Sequence, residues 1–173
     1  MAHTKQFCTF FLNGLYFGVE VLKVQEVIRY QEMTRVPLAP VMIRGLINLR
    51  GQIVTAIDLR HRLELPARAE HELPTNVVVR SDDGAVSLLV DEIGDVVEVD
   101  ENTHEPPPET LTGVARELID GVYKLKDRLL LVLDIEKTVN LPTPGLRSRE
   151  SAGESNLFDQ LNNKLTSSRQ ANV

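Results

Sequence analysis

The chain has 173 residues, of which 42% are hydrophobic and 25% charged, and its formal net charge is −6. These values are ordinary for a folded globular protein and differ from those of disordered or fibrous chains. The basic residues are scattered, which argues against nucleic acid as a partner. The single cysteine, Cys8, cannot form an intramolecular disulfide, and its strand-like surroundings predict a buried position. The longest apolar run, Leu129 to Leu133, is too short to span a membrane, so we expect a cytoplasmic protein without direct membrane insertion.

Two strands that meet at Asn13-Gly14 are predicted at the start of the chain. Residues 6–12 alternate loosely between apolar and polar types, and residues 15–19 resume an apolar strand. Asn-Gly is a preferred pair for a two-residue turn, so the two segments form a predicted β-hairpin. The next segment, up to Ile28, has apolar residues at both strand and helix spacing, and a strand that enters a short turn fits it best.

A proline-containing loop and a second pair of strands follow. Residues 33–40 include two prolines, which exclude a helix interior and indicate a surface loop. Strands are predicted over residues 46–49 and 53–59. Gly51 supplies the turn between them, because glycine adopts turn conformations without steric cost.

Two aspartates each end an apolar strand and precede a helix-forming segment. Asp58 comes before residues 59–63, and Asp134 comes before residues 135–139. A carboxylate at such a position accepts hydrogen bonds from the first free amides of a helix. We therefore interpret both aspartates as helix N-caps and not as catalytic groups.

The chain contains the same sequence pattern twice. Residues 45–59 read GLINLRGQIVTAIDL and residues 121–135 read GVYKLKDRLLLVLDI. Residues 17–27 also align with residues 86–96, apolar type to apolar type, and a second hairpin is predicted over residues 77–90. Each copy is a small all-β unit that is marginal alone, and short strands protect their edges by curling into a barrel. The repeat therefore predicts an all-β fold of two pseudo-symmetric five-stranded β-barrels packed together, with a few short helices.

The expected domain covers residues 1–140. Its two barrels are intertwined in this prediction, one formed by roughly residues 15–75 and the other by residues 6–14 plus 76–140.

A C-terminal tail over residues 141–173 differs in composition, with proline and glycine first and then serine, glutamate and asparagine. Residues 155–165 place four apolar side chains on one helical face, namely Leu157, Phe158, Leu161 and Leu165. Two interpretations fit this pattern: a short helix that packs on the barrels or on a partner, and a disordered extension.

No pattern typical of catalysis, cofactor binding or metal binding is present. Phosphate-binding loops, nucleophile elbows and zinc patterns are absent, and the histidines are isolated from one another: His3, His61, His71 and His104. Asp82-Asp83 and Asp91-Glu92 are adjacent pairs on predicted hairpins, so we interpret them as solvated charge. We therefore expect no enzyme, no cofactor and no metal. An enzyme with another motif, or a freestanding barrel that senses a peptide or small ligand, are the rival hypotheses.

Arg50 stands out because it lies at a tight turn between Leu49 and Gly51. Its guanidinium could pair with a carboxylate inside the protein, or it could hold the loop against a partner. The alternating residues 23–29 are similarly open to two interpretations, as ordinary core and surface or as the rim of an apolar docking surface.

Three motifs together resemble the CheW family of bacterial chemotaxis coupling proteins. They are LKVQEVI at residues 22–28, RGLINLRG at residues 44–51 and AIDLR at residues 56–60, and the resemblance covers residues 6–140. One departure is Thr55-Ala56, where the family usually has a proline-led apolar pair.

The resemblance implies a non-enzymatic adaptor with two SH3-like barrels. Such proteins join the cytoplasmic tip of a transmembrane chemoreceptor to the regulatory domain of the histidine kinase CheA, within membrane-associated arrays. Two pseudo-equivalent ends would let the adaptor alternate with kinase domains, or with other copies of itself, in rings. An adaptor of a non-flagellar chemosensory pathway is an alternative. The partner-binding positions implied by the resemblance are Val24, Glu26, Val27, Gly45, Asn48, Leu49 and Arg50.

Overall fold

The structure, a computed structural model, describes residues 3–141. This part of the chain has ten strands, three short α-helices and two single-turn 3₁₀ helices at Val21–Lys23 and Glu101–Thr103. The strands are β1 (Thr4–Leu12), β2 (Leu15–Glu20), β3 (Val24–Ile28), β4 (Ile43–Leu49), β5 (Gln52–Asp58), β6 (Thr75–Ser81), β7 (Gly84–Val90), β8 (Glu92–Asp100), β9 (Ile119–Lys124) and β10 (Leu129–Leu133). The helices are α1 (Leu59–Arg62), α2 (Gly113–Leu118) and α3 (Ile135–Val139).

The strands form two five-stranded sheets with the same topology. The first barrel has the order β3-β6-β7-β5-β4, and the second has the order β8-β1-β2-β10-β9. The two orders correspond strand by strand, because each strand of one repeat takes the place of the strand five positions away in the other repeat. Strand β3 thus corresponds to β8, and β6 corresponds to β1. The one parallel pair of each sheet, β5 with β7 and β2 with β10, also lies at the same place. The predicted all-β fold of two pseudo-symmetric barrels is therefore confirmed.

Sheet membership corrects the ranges that were expected for the two barrels. The first barrel consists of strands between residues 24 and 90, and the second takes residues 4–20 together with 92–133. Each repeat thus gives its first hairpin to the other repeat: β1 and β2 pair with β8 and β10, and β6 and β7 pair with β3 and β5. Both hairpins have the same pattern, so the sequence alone did not show which sheet each one joins.

One hydrophobic core joins the two barrels. It contains side chains of the second barrel, such as Phe10 and Phe17, together with side chains of the first, such as Ile57 and Leu88. The rings of Phe10 and Phe17 stack with their centroids 6.1 Å apart. Each such fully buried side chain contributes about 2–3 kcal/mol of transfer free energy. A smaller cluster around Phe7 consists of side chains from the strands of the second barrel.

The short helices begin where the sequence predicts. The side chain of Asp58 accepts a hydrogen bond from the amide of Arg60, and that of Asp134 accepts one from the amide of Lys137, each at 3.1 Å. Both N-cap predictions are confirmed, since a carboxylate here pairs an amide that has no partner within its helix. Buried Arg62 of α1 donates to the backbone carbonyls of Lys137 and Thr138 in α3, at 2.9 and 2.8 Å, and so ties the two halves together.

The tail prediction lies almost wholly outside the described residues. Leu141, the last residue described, is buried in the shared core. None of the helices between residues 3 and 141 has the length and hydropathy of a transmembrane span.

Candidate functional site

The predicted partner-binding residues lie on three pieces of the first barrel. Val24, Glu26 and Val27 belong to β3, and Gly45, Asn48 and Leu49 belong to β4. Arg50 lies in the turn that leads into β5. Strands β3 and β4 stand at opposite ends of the sheet order, and the turn that follows β4 contacts β3 through Arg50 and Glu26. We refer to these seven residues as the β3–turn surface.

The turn between β4 and β5 has two residues with positive φ, Arg50 at 53° and Gly51 at 85°. This is the type I′ geometry, whose twist suits a two-residue hairpin. A non-glycine residue with a positive φ costs about 1 kcal/mol of conformational free energy, so other contacts must hold Arg50 in this conformation. One of them is a hydrogen bond of 2.9 Å from the Gly51 amide to Oδ1 of Asn48. The Asn48 side chain is therefore engaged in fixing the turn.

An ion pair joins the turn to β3. Nη2 of Arg50 lies 2.5 Å from Oε2 of Glu26. The Arg50 side chain is 77% exposed and that of Glu26 is 18% exposed, so the pair lies at the surface. A pair this exposed contributes less than about 1 kcal/mol to stability, and its main effect is to orient the loop. Of the two roles considered for Arg50, the structure shows the internal pairing.

The two valines of this surface differ in their surroundings. A β-bulge interrupts the pairing of β3 with β6 between Val24 and Glu26. Val24 is half-buried and packs against the shared core, whereas Val27 is 41% exposed. Val27 is therefore the exposed apolar side chain of β3, and Val24 is partly a core residue.

Gly45 is a packing position. The loop after β3 folds back over β4, and Thr34 exchanges two backbone hydrogen bonds with Leu46, at 2.9 and 2.8 Å. A Cβ atom on Gly45 would lie 2.6 Å from the carbonyl oxygen of Thr34, which is closer than atoms approach. Because Gly45 is buried under this loop, a substitution would act on the loop before it reached a partner.

The same arrangement occurs in the second barrel, at a glycine that was not singled out from the sequence. Glu105 exchanges backbone hydrogen bonds of 2.9 and 2.8 Å with Val122, and a Cβ on Gly121 would lie 2.7 Å from the carbonyl oxygen of Glu105. We call the two folded-back loops, residues 29–42 and 101–112, the straps. The sequence signal that could have identified Gly121 is its alignment with Gly45 in the internal repeat.

The most extensive charged cluster in the described chain is centred on Asp91. Its carboxylate accepts hydrogen bonds from Arg60 Nε, from Arg68 Nη2 and from the Asn13 amide, each at 2.8 Å. Burial opposes ionisation of Asp91, but these donors together hold the pKa of its carboxyl below its usual value. The interpretation of Asp91 as solvated charge was wrong, because its partners come from distant parts of the chain.

The donors to Asp91 come from the β1–β2 turn and from residues 60 and 68, so the cluster ties these separate segments together. Within residues 3–141, no group of three or more His, Cys, Asp or Glu side chains could hold a metal ion.

Comparison with known proteins gives one consistent family. The model of the CheW-like domain matches residues 6–142. The chain is 33% identical over 136 residues to a chemotaxis protein CheW of Klebsiella aerogenes, covering 79% of this chain and 82% of that protein. It is 34% identical over 125 residues to CheW of Bacillus subtilis, covering 72% and 80% of the two chains.

Solved structures agree with this result. The crystal structure of the scaffolding protein TtCheW from Thermoanaerobacter tengcongensis matches with a TM-score of 0.73 and 28% identity, over 82% of this chain and 91% of that one. Two barrels with exchanged hairpins, three matching motifs and these relatives lead to the same conclusion. The chain belongs to the CheW family.

Proposed function

We propose that this chain is an adaptor that couples the cytoplasmic tips of transmembrane chemoreceptors to the regulatory domain of a CheA-type histidine kinase. Proteins of the CheW family are scaffolding proteins of chemotaxis and not enzymes, so the general class is established by family membership. The proposal adds the two partners and a place in the cytoplasm at membrane-associated receptor arrays.

The observation that carries the proposal is the β3–turn surface. It combines an exposed apolar side chain, Val27, with a turn held in place by the Arg50–Glu26 pair and by Asn48. Protein interfaces depend on a few such apolar anchors with a charged rim, and rigid anchors lose little entropy on binding.

The pseudo-twofold fold supports assembly into rings that include kinase domains and other copies of this chain. An adaptor with two ends of like shape can extend an assembly in two directions. The ends differ in charge, however. Residues 24–90 carry eight basic and eight acidic side chains, whereas residues 3–23 and 91–141 carry seven basic and fourteen acidic ones. The two barrels therefore suit different partner surfaces, because complementary charge selects partners.

Signalling through such an adaptor needs no chemical step on the chain. A receptor changes kinase activity only if the contacts of the adaptor differ in free energy between the active and inactive states. Each contact can be weak, because neighbouring contacts in an array raise the effective concentration of every partner.

Val27→Lys tests the proposal in a reconstituted mixture of receptor membranes, kinase and this chain. We expect at least a tenfold loss of receptor-dependent kinase activation, since a charge replaces the apolar anchor of the interface. Val27 is a better probe than Val24, because Val24 packs against the core.

Leu73→Lys is the matched control, because Leu73 is an exposed apolar side chain, 64% accessible, that does not belong to the β3–turn surface. It should activate the kinase like the wild type. If both variants fold and activate the kinase equally, the β3–turn surface does not have the proposed role.

A further inference from the structure

Arg62 is a buried cation at the junction of the two barrels. It is the last residue of α1 and is 8% exposed, and within residues 3–141 it forms no ion pair with a carboxylate. Burial lowers the pKa of its guanidinium, because desolvation disfavours the charged form. A buried charge without a counter-ion is unfavourable, so the hydrogen bonds of Arg62 must offset this cost.

The acceptors of these hydrogen bonds are backbone carbonyls at the end of α3. Nε of Arg62 donates to the carbonyl of Thr138 at 2.8 Å. Nη2 donates to the carbonyls of Lys137 and Asn140 at 2.9 and 3.2 Å. The last carbonyls of a helix have no partner within the helix, so Arg62 supplies donors that α3 lacks. Because α1 follows β5 of the first barrel and α3 follows β10 of the second, these bonds cross from one barrel to the other.

The backbone turns sharply after Arg62 and thereby fixes the base of its side chain. The amide of Glu64 donates to the carbonyl of His61 at 3.2 Å. The amide of Leu65 donates to the carbonyl of Arg60 at 2.8 Å. This is the Schellman ending of a helix, and Glu64 has a φ of 58° at the position that usually holds glycine. The side chain of Arg62 therefore leaves a fixed piece of backbone.

The contact lies where the two repeats meet. At the spacing that aligns residue 45 with residue 121, Arg62 aligns with Thr138. Nε of Arg62 thus binds the carbonyl of its own counterpart in the other repeat. Residues related by a twofold approach each other only near the axis, so this contact lies near the pseudo-twofold axis. It is not reciprocal, because the hydroxyl of Thr138 donates to the carbonyl of Asp134 within α3 and its cap.

A second contact between α3 and the first barrel is more exposed. The carboxylate of Glu136 accepts hydrogen bonds of 3.1 and 3.3 Å from the amide of Asp82, in the β6–β7 turn. Water competes for hydrogen bonds at an exposed position, so their net contribution is small. The Asp91 cluster holds the other helix, α1, to the β1–β2 turn. The buried tie between α3 and the first barrel is therefore the one made by Arg62.

We propose that Arg62 is a positioning residue of the adaptor: its bonds to α3 fix the relative orientation of the two barrels and so the relative positions of their partner surfaces. The inference rests on the proposed function, in which the chain holds two partners at once. The shared apolar core holds the barrels together without a preferred direction, whereas hydrogen bonds are directional. A planar guanidinium that binds three carbonyls restricts both distance and angle.

Arg62→Met tests this role, because it removes the guanidinium and keeps an unbranched side chain at the site. Spin labels on Arg80→Cys of β6 and Glu98→Cys of β8, both at exposed positions, report the distance between the barrels by pulsed electron paramagnetic resonance. Cys8 is buried, and Cys8→Ala removes its thiol from the labelling reaction. We expect a broader distance distribution in Arg62→Met than in the protein that retains Arg62.

Hydrogen exchange gives a local check on the same variant. The amides of Thr138 and Asn140 donate to carbonyls within α3 and its cap, at 3.0 and 3.1 Å. We expect their exchange to become about tenfold faster in Arg62→Met, because the end of α3 opens more often without its tie to α1.

Arg116→Met is the matched control. Arg116 is exposed on α2 and donates to the backbone carbonyls of Pro108 and Leu111, each at 3.3 Å, without crossing to the first barrel. This variant should leave the distance distribution and the exchange of α3 unchanged. Arg62→Lys keeps the charge but not the planar fork, so its distribution should be intermediate. Should Arg62→Met fail to fold, Arg62→Lys takes its place in each comparison.

A functional readout separates positioning from general stability. In the mixture of receptor membranes, kinase and this chain, Arg62→Met should lose about tenfold of the receptor-dependent activation, since the coupling between its two ends is reduced. Its affinity for the kinase alone should change by less than about twofold, because the β3–turn surface is distant in contacts from the substituted side chain. A merely structural role would weaken binding and activation together.

Four results would overturn this inference. They are an unchanged distance distribution in folded Arg62→Met, equal broadening in Arg116→Met, full activation despite a broadened distribution, and parallel loss of kinase binding and activation. The distance and exchange measurements need neither receptor nor kinase. A wild-type chain that does not activate the kinase would therefore refute the proposed function while the orientation of the barrels is still tested.

Discussion

Asp91 shows how one side chain can hold two distant parts of the chain together. Its carboxylate binds the amide of Asn13 at the tip of the β1–β2 hairpin and the guanidinium groups of Arg60 and Arg68. The side chains of Asp91, Arg60 and Arg68 are 18%, 11% and 5% exposed. Removal of the carboxylate would leave Arg60 without its ion-pair partner and Arg68 with only Asp58, whose Oδ2 lies 3.5 Å from Nη1 of Arg68. Breaking a buried pair in this way costs about 3 kcal/mol.

Asp91→Asn should therefore lower the free energy of unfolding by about 3 kcal/mol at pH 7. The native pKa of Asp91 is depressed, so this stability is present above the unfolded pKa near 3.9 and is lost as the pH falls through the native pKa. Urea unfolding between pH 7 and pH 3 measures the effect. The difference between wild type and variant should shrink below about pH 4.

Glu92→Gln is the control for this measurement, because Glu92 is the exposed neighbour of Asp91 on the chain. Glu92→Gln should change the free energy of unfolding by no more than about 0.5 kcal/mol. Equal stability losses for the two variants, or a loss at Asp91 that does not change with pH, would contradict the assigned role of the cluster.

The two straps show the repeat at the scale of single elements. Each strap makes one backbone bridge to the strand that follows it, Thr34 to Leu46 and Glu105 to Val122. Each bridge lies over a glycine, because a side chain at position 45 or 121 would collide with the strap. The effect of Gly45 on partner binding is therefore expected to be indirect, through the strap beside the β3–turn surface.

Gly45→Ala should release the first strap, with a loss of about 1–3 kcal/mol in unfolding free energy from the forced contact. Hydrogen exchange should become faster at the Thr34 and Leu46 amides, because their bridge opens. Gly121→Ala is the matched variant and should act on Glu105 and Val122 in the same way. Gly14→Ala is the control: it has open space around it, so the bridges should keep their protection. Unchanged exchange at Thr34 and Leu46 in Gly45→Ala would refute the strap interpretation.

Elements with local causes could be predicted from the sequence. Asn13-Gly14 forms the first hairpin turn, and Asp58 and Asp134 cap their helices, because each depends on neighbouring residues only. The exchange of hairpins depends on pairing between segments far apart, and both hairpins fit either sheet by pattern. The Asp91 cluster was missed for a similar reason, since Arg68 and Arg60 lie 23 and 31 residues away along the chain.

The residues proposed for the candidate site come from the family resemblance, and the sequence did not indicate how they are arranged. The resemblance supplied Glu26 and Arg50 separately, and the structure joined them in one ion pair. It also separated Val24, which packs on the core, from the more exposed Val27. Burial alternates along β3, so the strand pattern separates these two valines once the strand is assigned. The sequence left that assignment open, because the segment up to Ile28 has apolar residues at both strand and helix spacing.

At the scale of the whole molecule, exchanged hairpins and a shared core make the two barrels one unit. Neither barrel is complete without strands from the other repeat, so their relative arrangement is set by the chain itself. A rigid body with two ends of similar shape and different charge is suited to hold two partners at a fixed distance. This is the property that the proposed coupling of receptor and kinase requires.

Co-sedimentation of the histidine kinase with receptor-containing membranes tests this coupling most directly. We expect the kinase to pellet with the membranes when the wild-type chain is present, and to stay in the supernatant without the chain or with Val27→Lys. Equal recovery of the kinase in the pellet with and without the chain would contradict it.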